Sequence, residues 1–135
     1  MGEEVFIDAN IFLEIELQDV KSEQCKSFLQ KVATGEVRAC TSDFIVYSCL
    51  LQLQHKLSDT RYVERFLLAL NSLEGLRVVR PSLAEMAEAA KLMKKYSLDF
   101  DDGLVVACMK SRDIDVLVSF DKDFDRVPIV QRKIL

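Results

Sequence analysis

Four short apolar runs, each followed by polar turn or cap residues and then by helical periodicity, constrain this chain more than any other feature. Glu4-Val5-Phe6-Ile7 runs into Asp8-Ala9-Asn10, Val37 to Cys40 into Thr41-Ser42-Asp43, Leu76 to Val79 into Pro81-Ser82, and Val116-Leu117-Val118 into Ser119-Phe120-Asp121. Runs this short and continuously apolar fit strands buried on both faces, and such strands belong to parallel sheets whose crossovers are helices. The fold class is therefore α/β: a three-layer domain with a central, mostly parallel sheet of four to five strands flanked by helices.

The intervening segments read as those helices. Asn10 is the expected cap for an apolar-acidic stretch from Ile11 to Leu17. From Ser22, the residues Cys25, Phe28, Leu29, Val32 and Ala33 recur at helical spacing, and Gly35 ends the segment. The helix from about Phe44 to Leu57 is apolar all round and is expected to be central. A further helix restarts at Ser58-Asp59-Thr60, and the next has Ser82 and Glu85 at capping-box spacing. The last opens at Asp99 or Asp101 and carries Leu104, Val105, Ala107, Cys108 and Met109, and Ile129-Val130 is expected to add an edge strand after Pro128.

The 135 residues contain no repeat, low-complexity segment or linker, so one domain spanning residues 1–135 is expected. Half the residues are hydrophobic and 30% are charged, which excludes a disordered chain. No apolar run approaches the roughly 18 residues of a spanning helix, and Met1-Gly2-Glu3-Glu4 has no leader-like character. A cytoplasmic location without a membrane partner is expected. Cys25, Cys40, Cys49 and Cys108 are widely spaced and His55 is the single histidine, so buried reduced thiols are expected rather than a zinc or redox site. The net charge of −4 excludes a broad phosphate-binding surface. A local one, with residues such as Lys94, Lys95, Lys122 and Arg126 framing an acidic centre, stays open.

The chemistry is carried by aspartates at the ends of these elements. Asp8 follows the first strand and Asp121 the strand at Val116–Val118, where loops beyond the carboxyl ends of parallel strands form ligand sites. Asp99, Asp101 and Asp102 lie at the start of a helix. For Asp99 the competing role is an N-cap, for Asp8 a turn residue binding backbone amides, and for Asp123 and Asp125 a cap or surface pair. Asp102 shares a helix face with Val105 and Val106 and is expected to point inward, with Asp101 solvated. Ser119 has two readings, a turn former or a residue orienting a carboxylate or water, Asn10 and Ser42 share that ambiguity, and Phe100, Phe120 and Phe124 read as core walls. Crowded carboxylates repel unless a cation joins them, and an oxygen-only set favours Mg2+ or Mn2+ over zinc.

The order of four segments resembles the PIN domain family of metal-dependent ribonucleases. They are Phe6-Ile7-Asp8-Ala9-Asn10, Thr41-Ser42-Asp43-Phe44, Leu98-Asp99-Phe100-Asp101-Asp102-Gly103 and Ser119-Phe120-Asp121-Lys122-Asp123-Phe124. The resemblance implies a parallel sheet with an acidic pocket that binds Mg2+ or Mn2+ and cleaves RNA. It makes Asp8, Asp102 and Asp121 the catalytic and metal-binding residues, with Asp123 and Asp99 as additional candidate ligands. The glutamate usual in the helix after the Thr-Ser-Asp segment falls at Ser48, as in an archaeal-type subgroup where it is often absent.

The leading expectation is a Mg2+- or Mn2+-dependent endoribonuclease acting on RNA, either the toxin of a toxin-antitoxin pair with an antitoxin protein as partner, or an RNA-processing enzyme. A homodimer follows from the same resemblance. The alternative is a weakly active or inactive RNA-binding or regulatory PIN module, because Ser48 brings no charge. An aspartyl-phosphate domain is disfavoured, since Asn10 stands where a D-x-D motif needs its second acid.

Overall fold

The computed structural model describes residues 3–135. Its centre is a five-stranded sheet in the order β3-β2-β1-β4-β5, formed by β1 (Val5–Ile7), β2 (Ala39–Ser42), β3 (Leu76–Val79), β4 (Val116–Val118) and β5 (Gln131–Lys133). Every pairing is parallel, with Val5, Phe6 and Ile7 of β1 opposite Val116, Leu117 and Val118 of β4. The three residues of β1 are all buried, as strands covered on both faces must be. The chain builds outward from β1 through β2 to β3, then crosses back to β4 and β5 on the other side. The β1–β4 boundary is thus the place where strand order reverses, and ligand sites of such sheets lie beyond the carboxyl ends of the strands there.

Among the described residues, six α-helices flank the sheet: α1 (Ala9–Glu16), α2 (Ser22–Ala33), α3 (Asp43–Leu57), α4 (Thr60–Asn71), α5 (Leu83–Tyr96) and α6 (Phe100–Ser111). A 3-10 turn over Lys122–Arg126 follows β4. The α/β fold expected from the strand pattern is borne out, with five strands. Among the described residues, no helix is long and apolar enough to cross a membrane.

The central helix is α6 rather than α3. Residues Gly103 to Met109 of α6 are all buried, whereas α3 leaves Phe44, Tyr47 and Leu51 exposed. Spacing alone marks both helices as apolar but does not say which has neighbours on every side. Gly103 permits a close approach between helices: a Cβ there would lie 2.8 Å from the carbonyl oxygen of Ala89 on α5. The Glu85 carboxylate of α5 accepts hydrogen bonds from Arg112 and Ser111 at the end of α6, which fixes the relative position of the two helices.

Several boundaries differ from the sequence reading. The cap of α1 is Asp8, whose side chain accepts from the Ala9 amide, and Asn10 lies within the helix. Strand β2 begins at Ala39 rather than Val37, and the edge strand is Gln131–Lys133 rather than Ile129-Val130. The turn residues Val127 to Val130 are held by a bond from the Val130 amide to the Val127 carbonyl, which delays pairing until Gln131. The capping box at Ser82 and Glu85 is present, and all four cysteines are buried free thiols.

Candidate metal centre

At the end of β1, the Asp8 amide donates to the Val118 carbonyl of β4 at 3.1 Å, continuing the ladder one residue past the strands. This fixes Asp8 level with Ser119 at the carboxyl ends of β1 and β4. The Ser119 hydroxyl, fully buried, donates to Asp8 Oδ2 at 2.7 Å, and the Ala9 amide donates to Asp8 Oδ1 at 2.8 Å. Asn10 Nδ2 donates to Ser119 Oγ at 3.2 Å, and its Oδ1 accepts from the Phe120 amide at 3.2 Å. The Asp121 amide in turn donates to Ser119 Oγ at 3.0 Å. Asp8, Asn10, Ser119 and the backbone of Asp121 therefore form one hydrogen-bonded unit across two strand ends.

Of the two readings for Ser119, the carboxylate-orienting one matches this geometry. Asn10 is not a cap but a bridge to the β4 loop. Its only sequence signal is a position two residues after a strand-ending acid.

The remaining acids come from α6 and the 3-10 turn. Asp102, Asp121 and Asp123 each present a carboxylate oxygen, and these oxygens all lie within 4.8 Å of one another. Asp102 is half-buried in the first turn of α6, and its amide donates to Asp101 Oδ1 at 3.0 Å. The Asp121 side chain caps the 3-10 turn by accepting from the Asp123 amide at 2.9 Å. Asp99 stands at the N-cap position of α6, exposed and without a side-chain capping bond, and both Asp99 and Asp8, expected as ligands, lie outside this three-oxygen set. Asp101 is exposed, as the helix geometry predicts.

The electrostatics fit a cation site. Burial, then the charges of Asp101, Asp121, Asp8 and Asp123, push the Asp102 carboxyl from its ordinary 3.8 up to about 7. Asp8 is also raised, chiefly by burial, with the bonds from Ser119 and Ala9 opposing and the charges of Asp121 and Asp101 adding to the rise. Such a set resists full ionisation until a cation neutralises it. Its donors are all carboxylate oxygens, the chemistry that suits a hard divalent ion such as Mg2+ or Mn2+.

One sequence reading changes here. Phe124 is a fully buried core wall and Phe120 packs against the core, but Phe100 is 39% exposed at the start of α6. Ser48 is half-buried and accepts from Gln52 Nε2 at 3.2 Å along its own helix. The neighbouring Cys49 thiol donates to the Ala9 carbonyl at 3.8 Å, so this part of α3 packs beside the start of α1 without adding an acid.

Comparison with solved structures finds the same architecture in proteins of low sequence identity. VapC20 of Mycobacterium tuberculosis, described as a sarcin-ricin-loop-cleaving toxin, superposes with a TM-score of 0.76 at 17% identity, covering 93% of this chain and 96% of that one. A toxin-antitoxin complex from Klebsiella pneumoniae gives 0.70 at 15% identity over 94% and 95% of the two chains. FitAcB from Neisseria gonorrhoeae gives 0.67 at 16% identity, covering 95% of each. A search of curated protein sequences found no match. The family model of the PIN domain matches residues 5–130, nearly the whole chain, and the protein belongs to the PIN domain family.

Proposed function

We propose that the protein is a Mg2+- or Mn2+-dependent endoribonuclease whose site is built from Asp8, Asp102, Asp121 and Asp123. The observation that carries this reading is the meeting of Asp102 from α6 with Asp121 and Asp123 from the turn after β4, their oxygens within 4.8 Å and the Asp102 carboxyl raised to about 7, beside Asp8 at the strand-order reversal of a parallel sheet. Asp102, Asp121 and Asp123 are the residues that would hold the ion. When bound, a divalent ion supplies Lewis acidity to a phosphodiester and lowers the pKa of a water. Asp8, locked by Ser119 and Ala9, keeps a fixed carboxylate at the floor of the pocket and orients the water or phosphate there. No side-chain nucleophile is needed.

The partners in this reading are an RNA substrate, an antitoxin protein and a second copy of the chain. Fold neighbours described as a toxin and as a toxin-antitoxin complex support a toxin role over RNA processing. An apolar cleft of about 360 Å³ lined by Phe12, Ile15, Leu29, Phe66, Leu70 and Leu73 offers a seat for apolar side chains of an antitoxin. The exposed stripe Phe44, Tyr47 and Leu51 on α3 supports a homodimer.

Ser48 favours a second reading, an inactive RNA-binding or regulatory module, because α3 adds no carboxylate to the pocket. An RNA cleavage assay with Mn2+ separates the two. The nuclease reading expects cleavage by the wild type that falls at least a hundredfold, roughly the scale of a lost electrostatic group, in Asp8→Asn. Wild-type protein that binds RNA and Mn2+ without cutting would favour the regulatory module.

A further inference from the structure

We propose that Arg126 is a positioning residue for the acidic pocket, holding Asp123 in place as a metal ligand by tying the 3-10 turn to the end of α5. The proposal rests on the reading of the pocket as a divalent-metal site. Arg126 Nη1 donates to the Ser97 carbonyl oxygen at 2.7 Å, and Nη2 donates to Asp123 Oδ1 at 3.2 Å. Ser97 is the left-handed cap of α5, with φ 55° and ψ 48°, two residues before Asp99 opens the helix that carries Asp102. One planar guanidinium therefore joins the loop leading to Asp102 and the turn carrying Asp121 and Asp123.

The turn has a separate anchor on its other side. Arg132 donates to both carboxylate oxygens of Asp125, at 2.9 and 3.0 Å, and to the Ser119 carbonyl at 3.2 Å. Losing Arg126 should leave the turn in place and release the Asp123 side chain alone. The Arg126 and Asp123 side chains are 49% and 51% exposed, so their pairing adds little to global stability. Its effect is orientation: a carboxylate has two oxygens, and the bond to Oδ1 leaves the other for a cation while halting rotation of the group.

Positioning and simple electrostatics predict opposite signs. A cation beside a metal site repels the metal, so removing Arg126 should tighten binding if charge were its only contribution. Positioning requires the reverse. Calorimetric titration with Mn2+ alone should show affinity about tenfold weaker in Arg126→Gln than in the wild type, the scale of lost outer hydrogen bonds at metal sites. Arg126→Lys, which keeps the charge but not the two-armed donor, should be weakened similarly. In an Asp123→Asn background, Arg126→Gln should change nothing, and the metal-free melting temperature should stay at the wild-type value. Unchanged or tighter Mn2+ binding in Arg126→Gln overturns the proposal. Failure of the wild type to bind Mn2+ or Mg2+ instead overturns the metal reading of the pocket, and this proposal with it.

Discussion

Asp102 is the residue on which the pocket's behaviour with pH turns. Its carboxyl titrates near 7 in the folded chain against an ordinary 3.8. The folded state thus holds the proton more tightly, and the associated stability is complete below about 4 and lost as pH rises through about 7. The metal-free wild type is expected to lose stability relative to Asp102→Asn between pH 4 and 8, measured by chemical denaturation of both. Proton and metal compete for the same oxygen, so Mn2+ affinity should fall up to about tenfold per unit below pH 7. A flat profile would show that Asp102 is not a ligand. The acid itself was legible, because a helix-start aspartate sharing a face with Val105 and Val106 must point inward. For Asn10 and Arg126 the sequence left a place near the acids open but not their partners, since Phe120, Ser97 and Asp123 are near them in space rather than by any local pattern.

At the level of elements, the pocket depends on how α6 is seated, because α6 carries Asp102. Gly103 lies against the Ala89 carbonyl, so Gly103→Ala must push α6 away from α5. The expected cost is about 1–3 kcal/mol of stability, read from denaturant midpoints. The same interface is closed by Glu85. Burial pushes its carboxyl up, but bonds from Arg112, Ser111 and the Ser82 amide together pull it down to about 2. Its contribution is therefore present above pH 4.5 and is lost as pH falls toward 2. Glu85→Gln should cost on the order of 2 kcal/mol at pH 7 and little at pH 2, with both values from urea unfolding. Strands β1 and β4 and the Ser82 capping box were readable from local pattern. The seating of α6 was not, since α3 and α6 carry similar apolar density and only the crossover packing distinguishes them.

For the whole molecule, strand order turns a list of acids into a site. The sequence shows that Asp8 and Asp121 end apolar runs, but they come to one edge of the sheet because β1 and β4 are neighbours at the reversal of the order β3-β2-β1-β4-β5. That adjacency involves residues more than a hundred positions apart; the parallel-sheet rule put both acids at strand ends where sites form, and the order of the strands came only with the fold. The central claim, that these segments converge to hold one kind of ion, is tested most directly by titrating Mn2+ into the wild type and into a variant carrying Asp102→Asn, Asp121→Asn and Asp123→Asn. Removing three crowded charges relieves repulsion, so the variant should melt no lower than the metal-free wild type. The account predicts saturable Mn2+ binding by the wild type and none by the variant; equal binding by the two, or none by the wild type, would contradict it.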